Sequence, residues 1–169
     1  MSEEVQRVND AWEMIEEWFA KNKPEYKLAP GASDAEIEKL ETHLGMAIPD
    51  ALKASLKRHN GVDELEWPKG EFLSIESIIR DWDMRTGIFE GLDEEADQEE
   101  GMIKAGWWHK EWIPIDADGA GNGACMDLAP GPKGKKGQII DFDHESGPNG
   151  PHFEDLGEYL EAVCDDLRG

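Results

Sequence analysis

The sequence predicts an α+β fold, and two observations carry the prediction. Apolar residues recur at helical spacing through the N-terminal half and again at the C-terminal end. Between these, the C-terminal third changes to short β-like runs separated by glycine-rich turns. Helices first and strands afterwards, without regular alternation, is the order of an α+β chain. At 169 residues the chain is expected to form a single domain over residues 1–169, and its 38% hydrophobic content and seven Trp supply a core.

The first helix is expected from about residue 4 to 21, where Val5, Val8, Trp12, Ile15 and Phe19 share one face. Pro24 stops it, because proline has no amide hydrogen to donate. The stretch "GASDAEIEKLETHLG" reads as a second helix. Ser33 caps its start and Glu36, three residues on, completes a capping box. Ile37, Leu40 and Leu44 form its buried stripe, and Gly45 is placed to close its end. A third helix starts near Pro49, buries Leu52 and Leu56, and ends at Asn60-Gly61. Lys57, Arg58 and His59 fall in its last turn, where positive charge suits the helix dipole. His43 and His59 are expected on helix surfaces.

Phe72 and Leu73 read as a short strand, after which Ser74 caps a short helix carrying Ile75, Ile78, Ile79 and Trp82. The pattern fades from Arg85 to Gly106. Within this stretch "DEEADQEE", residues 93–100, holds six acids in eight positions. Charges this dense repel one another, so a loop, a solvated face or a surface for a basic partner is expected.

"WIPID", "GACMDL" and "GQIIDFD" form a three-stranded antiparallel meander, with Pro114 restricted to an edge or a bulge because it cannot donate a ladder hydrogen bond. In the closing helix, Leu156, Tyr159, Leu160, Val163, Cys164 and Leu167 share a face, which places Cys164 in the core.

The glycine-rich stretch between the first two strands, "DADGAGNG", invites three chemical readings. As a calcium loop it supplies Asp116, Asp118 and Gly121 at the first, third and sixth positions. Ala120 removes the fifth-position oxygen, and Asp127 is short for the closing bidentate glutamate. As a dinucleotide loop it lacks the helix whose N-terminus would meet the pyrophosphate, since Pro130 and Gly131 follow at once. The remaining reading is a structural turn formed by Asp118, Gly119, Gly121, Asn122 and Gly123, with Asn122-Gly123 at or near its bend. "GPKGKKG" lacks the Ser or Thr of a phosphate loop and reads as a basic hairpin turn. Asp141, Asp143, His144 and His152 do not fall at metal-ligand spacing and are expected as solvated loop side chains. No nucleophile stands at a readable spacing from a base. No catalytic residue, metal or cofactor is therefore assigned.

The formal net charge of −22 repels phosphate backbones and anionic membranes and favours basic protein partners. Cys125 and Cys164 form no paired motif and are expected as reduced, buried thiols. The polar N-terminus carries no apolar leader, and no run is long enough to span a bilayer, so a soluble cytoplasmic protein is expected.

Taken in order, "LAPGASDAEIEKLETHLGMAIPDALKASLKRHNGV", "FLSIESIIRDW" and "WIPIDADGAGNGACMDLAPGPKGKKGQIIDFDHES" resemble the SUKH superfamily in its Smi/Knr branch, over roughly residues 8–165. The most specific parts are "GASDAEIEKLE", "IPDALKASLKRHNG" and the "WIPI" run through "CMDL". One departure is Asn122, where relatives commonly carry Asp. The resemblance implies helices packed on one face of a mainly antiparallel sheet, and a non-enzymatic role. Bacterial members are mostly immunity proteins that neutralise toxins, often nucleases. Fungal members regulate cell-wall assembly through protein contacts and carry long disordered flanks.

A stand-alone bacterial immunity protein is the first expectation, occluding a basic toxin site with Asp93, Glu94, Glu95, Asp97, Glu99 and Glu100 beside an exposed Trp67. A regulatory scaffold binding an endogenous protein is the alternative. A calcium- or metal-dependent enzyme is the alternative of another class.

Overall fold

A computed structural model describes residues 2–89 and 101–169. Three helices come first: α1 (Glu3–Asn22), α2 (Asp34–Leu44) and α3 (Asp50–Arg58). Strand β1 (Glu71–Phe72) and helix α4 (Ile75–Phe89) follow. Then come β2 (Trp112–Pro114), β3 (Asp116–Ala117), β4 (Gly123–Asp127), β5 (Gln138–Asp143), β6 (Gly147–Phe153) and helix α5 (Leu156–Arg168).

The helix boundaries follow local chemistry. Ser33 Oγ accepts the Glu36 amide at 3.1 Å, while Glu36 Oε1 accepts the Ser33 amide at 3.0 Å. Two otherwise unpaired amides are thus satisfied by one reciprocal pair. Gly45 closes α2 in the left-handed conformation, φ 73°. Ser74 Oγ accepts the Ser77 amide at the start of α4, and this helix runs on to Phe89, well beyond the short element expected. Its extra turns are fixed by tertiary contacts: Arg85 is buried, and Phe89 packs edge-on against Phe142.

The four-stranded antiparallel sheet has the order β2-β4-β5-β6, and β1 pairs with β3. The expected meander is therefore present with one more strand. Residues 147–153 form β6 rather than a loop, with Asp143 opposite Gly147 and Ile139 opposite Phe153. His152 accordingly sits on a strand. "WIPID" is divided at Ile115, whose amide donates to Ala124 and whose carbonyl accepts from Leu73. One side of this segment bonds β4 and the other bonds β1. Pro114 lies on the edge strand β2 opposite Cys125, where a missing donor costs no ladder bond.

Alternate sheet positions face opposite sides. Met126, Ile139 and Phe153 lie on one face, where Phe153 meets Tyr159 of α5 at 5.7 Å. Cys125, Ile140 and Phe142 lie on the other, where Arg85 of α4 stands 4.9 Å from the Phe142 ring centre. Helices thus cover both faces, not one. The reason lies in the strands: Ile139 and Ile140 are adjacent, point oppositely, and are both fully buried.

The central aromatic cluster joins helices to sheet. Trp12 stacks on Trp67 at 5.7 Å, Trp67 on Phe72 at 4.7 Å, and Phe72 on Tyr159 at 6.0 Å. Trp12 also donates its indole hydrogen to Ser55 Oγ at 2.9 Å, so neither buried polar atom is left unpaired.

Candidate functional site

Strand β3 delivers Asp116 into the interior and Asp118 to the surface. Asp116 Oδ1 accepts the Ala124 amide at 2.6 Å, and Oδ2 accepts the Tyr159 hydroxyl at 2.7 Å. Tyr159 in turn accepts the Trp67 indole hydrogen at 3.1 Å. A polar chain therefore runs Trp67–Tyr159–Asp116–β4 through the core. Burial pushes the Asp116 carboxyl up, against the hydrogen bonds from Tyr159 and Ala124. Burial and the neighbouring Asp116 also push the Tyr159 phenol well up.

Asp118 is shifted the other way. Slight burial raises it, but the Ala120 and Asn122 amides and the Asn122 side chain hold its carboxyl below the ordinary range. The Asp118 amide donates to the Asn122 carbonyl at 3.0 Å, closing the turn around Gly119 and Gly121, at φ 85° and 97°. The positive-φ positions of the turn are thus these two glycines, just before Asn122-Gly123. Asn122 has a negative φ, and its side-chain oxygen instead accepts the His144 amide. Gly123 serves close approach: a Cβ there would stand 2.1 Å from the Asp116 carbonyl oxygen.

Above this turn lies a cleft of about 320 Å³, lined by Lys69, Asp116, Asp118, Asn122, Asp141 and Asp143 among others. Burial raises the Asp141 carboxyl, opposed by His152 and Lys69. The oxygens of Asp116 and Asp118 are already directed at protein donors, which does not suit a cation that needs them all. Among the described residues, no three His, Cys, Asp or Glu side chains group as metal ligands. Burial pushes the Cys125 thiol up to about 12, so it is no ready nucleophile. Arg85 donates to its sulfur at 3.3 Å.

A second cleft of about 440 Å³ opens between the α1–α2 linker and β1. Tyr26, Ala29, Val62 and Phe72 form its body, and Asp63, Glu64 and Glu71 its rim. Leu65 beside it is 82% exposed. Both clefts are lined by carboxylates, and neither sets a nucleophile against a base.

Of the residues expected to bind a partner, only Trp67 lies among the described residues. Trp67 is 4% exposed, packed between Trp12 and Phe72 and hydrogen-bonded to Tyr159, so it is a core residue and offers no anchor. Asp93, Glu94, Glu95, Asp97, Glu99 and Glu100 lie outside the described residues. The Trp67–Tyr159–Asp116 chain was missed because its members are 92 and 43 residues apart. Its one sequence signal is an Asp at the end of an otherwise apolar strand.

The fold and the glycine turn define a SUKH-type α+β domain. Residues 31–162 match the model of the SMI1 / KNR4 family (SUKH-1), and the chain belongs to that family. It is 27% identical over 95% of its length to "Cell wall biosynthesis/cell cycle regulator smi1" of Schizosaccharomyces pombe. It is 26% identical over 95% of its length to the "Glucan synthesis regulatory protein" of Neurospora crassa. Identity to "Cell wall assembly regulator SMI1" of Saccharomyces cerevisiae is 24% over 94% of the chain. These alignments cover 36%, 38% and 40% of the three relatives, so the chain spans well under half of their length. No helix among the described residues is long and apolar enough to cross a membrane.

Proposed function

We propose that this chain is a non-enzymatic regulatory module that works in the cytoplasm by binding another protein. The observation that carries the reading is similarity along nearly the whole chain to proteins named as cell-wall regulators. This favours the scaffold alternative over the immunity role expected first. The −22 charge and the acid-lined clefts support a partner with a basic surface.

The test is domain replacement. The chain is put in place of the matching region of the Schizosaccharomyces pombe regulator, and growth is scored under a dye that stresses the wall. Restored growth is expected; failure by a folded, normally abundant chimera would overturn the regulatory reading. Recovery of a toxin domain as stoichiometric partner in the native cell would install the immunity reading in its place.

A further inference from the structure

His59 follows α3 and ties three segments together. Its Nδ1 lies 2.6 Å from the carbonyl oxygen of Ala29 in the linker before α2, and its Nε2 lies 2.8 Å from Glu16 Oε2 on α1. Both partners are acceptors with no hydrogen to give. Burial raises the Glu16 carboxyl, but hydrogen bonds from Arg58 and His59 outweigh it and hold the group below the ordinary range, as an anion. A neutral imidazole has one N–H and one lone pair, so it can satisfy only one of these two oxygens. A ring that satisfies both carries two hydrogens.

We propose that protonated His59 is a latch fastening the α1–α2 linker to α1 and α3, and that loss of its proton releases the linker. The charged groups around it are Glu16 on α1, Arg58 on α3 and, facing Arg58, Glu13 on α1. Arg58 opposes the imidazolium charge and Glu16 favours it. The C-terminal end of α3 favours a cation as well, and the Trp12 ring lies 5.0 Å away, within reach of a cation–π contact. The His59 side chain is 15% exposed, which leaves a route for proton exchange with water.

Removing one hydrogen turns a lone pair toward an acceptor oxygen, so either Ala29 or Glu16 must be let go. Ala29 is the weaker hold, because a carbonyl is uncharged and a carboxylate is not. The segment beside it stays pinned by Ala32 donating to Leu56 at 2.8 Å and by Asn60 donating to Pro30 at 3.0 Å. On the other side Lys23 keeps Glu66 at 2.7 Å and the Tyr26 hydroxyl keeps the Asp63 amide at 3.2 Å, so the movement is local to the stretch around Ala29. Tyr26 and Ala29 of this segment form one wall of the second cleft, so the rigidity of that wall follows pH. The latch stands whatever binds there.

The sign follows from which state holds the proton. A proton held by the folded chain stabilises the fold in acid, and less as pH rises. Two measurements test the latch. In nitrogen-resolved NMR of the wild-type ring at pH 6, both nitrogens are expected to carry hydrogen, and one is expected to lose it between pH 6 and 9 with shift changes at Ala29. Urea unfolding of wild type against His59→Gln, which is neutral throughout, should show the ratio of folding constants falling by about tenfold over that range, the scale of one charge-assisted hydrogen bond. A single protonated nitrogen at pH 6, a ring unchanged up to pH 9, or a pH-independent ratio would each overturn the proposal. If His59→Gln fails to fold, the wild-type ring spectrum decides.

Discussion

The helical half, α1 to α3, and the sheet half place their charged groups oppositely. In the helical half the ionic ties lie at the rim: Glu16 is half-buried and receives hydrogen bonds from Arg58 and His59. In the sheet half the tie lies at the centre: Asp116 is buried and receives hydrogen bonds from Tyr159 and Ala124. Hydrogen bonding wins for Glu16, whose carboxyl is lowered, and burial wins for Asp116, whose carboxyl is raised. Hydrogen bonds from Arg58 and His59 at the rim outweigh a modest loss of hydration; two neutral donors in the core do not outweigh a nearly complete one. A carboxylate's place in the layers thus decides whether it helps or opposes folding at neutral pH.

The contrast can be broken first at the cluster joining the two halves. Trp12→Ala should cost about 3–5 kcal/mol, because it empties a large buried volume and leaves Ser55 without its donor. Urea unfolding would measure it, and a loss near zero would mean that the halves are not joined through Trp12. Next, Tyr159→Phe should cost about 2–4 kcal/mol, since it removes a partner from both buried Asp116 and buried Trp67. The same measurement with Trp67→Phe in the background should show non-additive losses, as expected within one network.

The pH dependences sharpen the contrast. A raised carboxyl favours the protonated folded state, so the Asp116 contribution is best in acid and declines as pH climbs above 3.8 toward the raised value. A lowered carboxyl stabilises the fold above its ordinary 4.5, and this is lost as pH falls below it. Thermal unfolding of Asp116→Asn between pH 3 and 7 should therefore lack a decline that wild type shows, while Glu16→Gln should lack a loss on the acid side. Identical profiles for both variants would erase the distinction.

Smaller effects lie at the helix ends. Ser33→Ala should cost about 1 kcal/mol through the lost cap. Breaking the exposed Lys57–Asp34 pair, 3.0 Å apart, by Lys57→Ala should change stability by less than about 0.5 kcal/mol.

How much could be read beforehand differs between the same two halves. The Ser33–Glu36 box, the Gly45 closure and the Ser74 cap rest on groups within a few residues, and each forms as read. The place of Pro114 on an edge strand was also legible, because proline's missing donor is a local fact. Strand β6 was not. "GPNGPHF" has turn composition, and pairing with β5 makes it a strand. Within the glycine stretch, positive φ falls at Gly119 and Gly121, where Asp118 collects the Ala120 and Asn122 amides.

The clefts were illegible for the same reason. Asp63, Glu64 and Glu71 meet Tyr26 only after α3 and β1 are packed.

The sequence by itself determined where the helices lie, the caps at Ser33, Gly45 and Ser74, three of the antiparallel runs and the family resemblance, since all of these rest on short-range pattern. Tertiary structure alone decided which polar groups are buried. Trp67 became core because Tyr159 arrived to accept its hydrogen, and His59 became partly buried because Ala29 and Glu16 closed on both its nitrogens. A residue's burial and protonation depend on the donors and acceptors that folding brings to it, and those come from far along the chain.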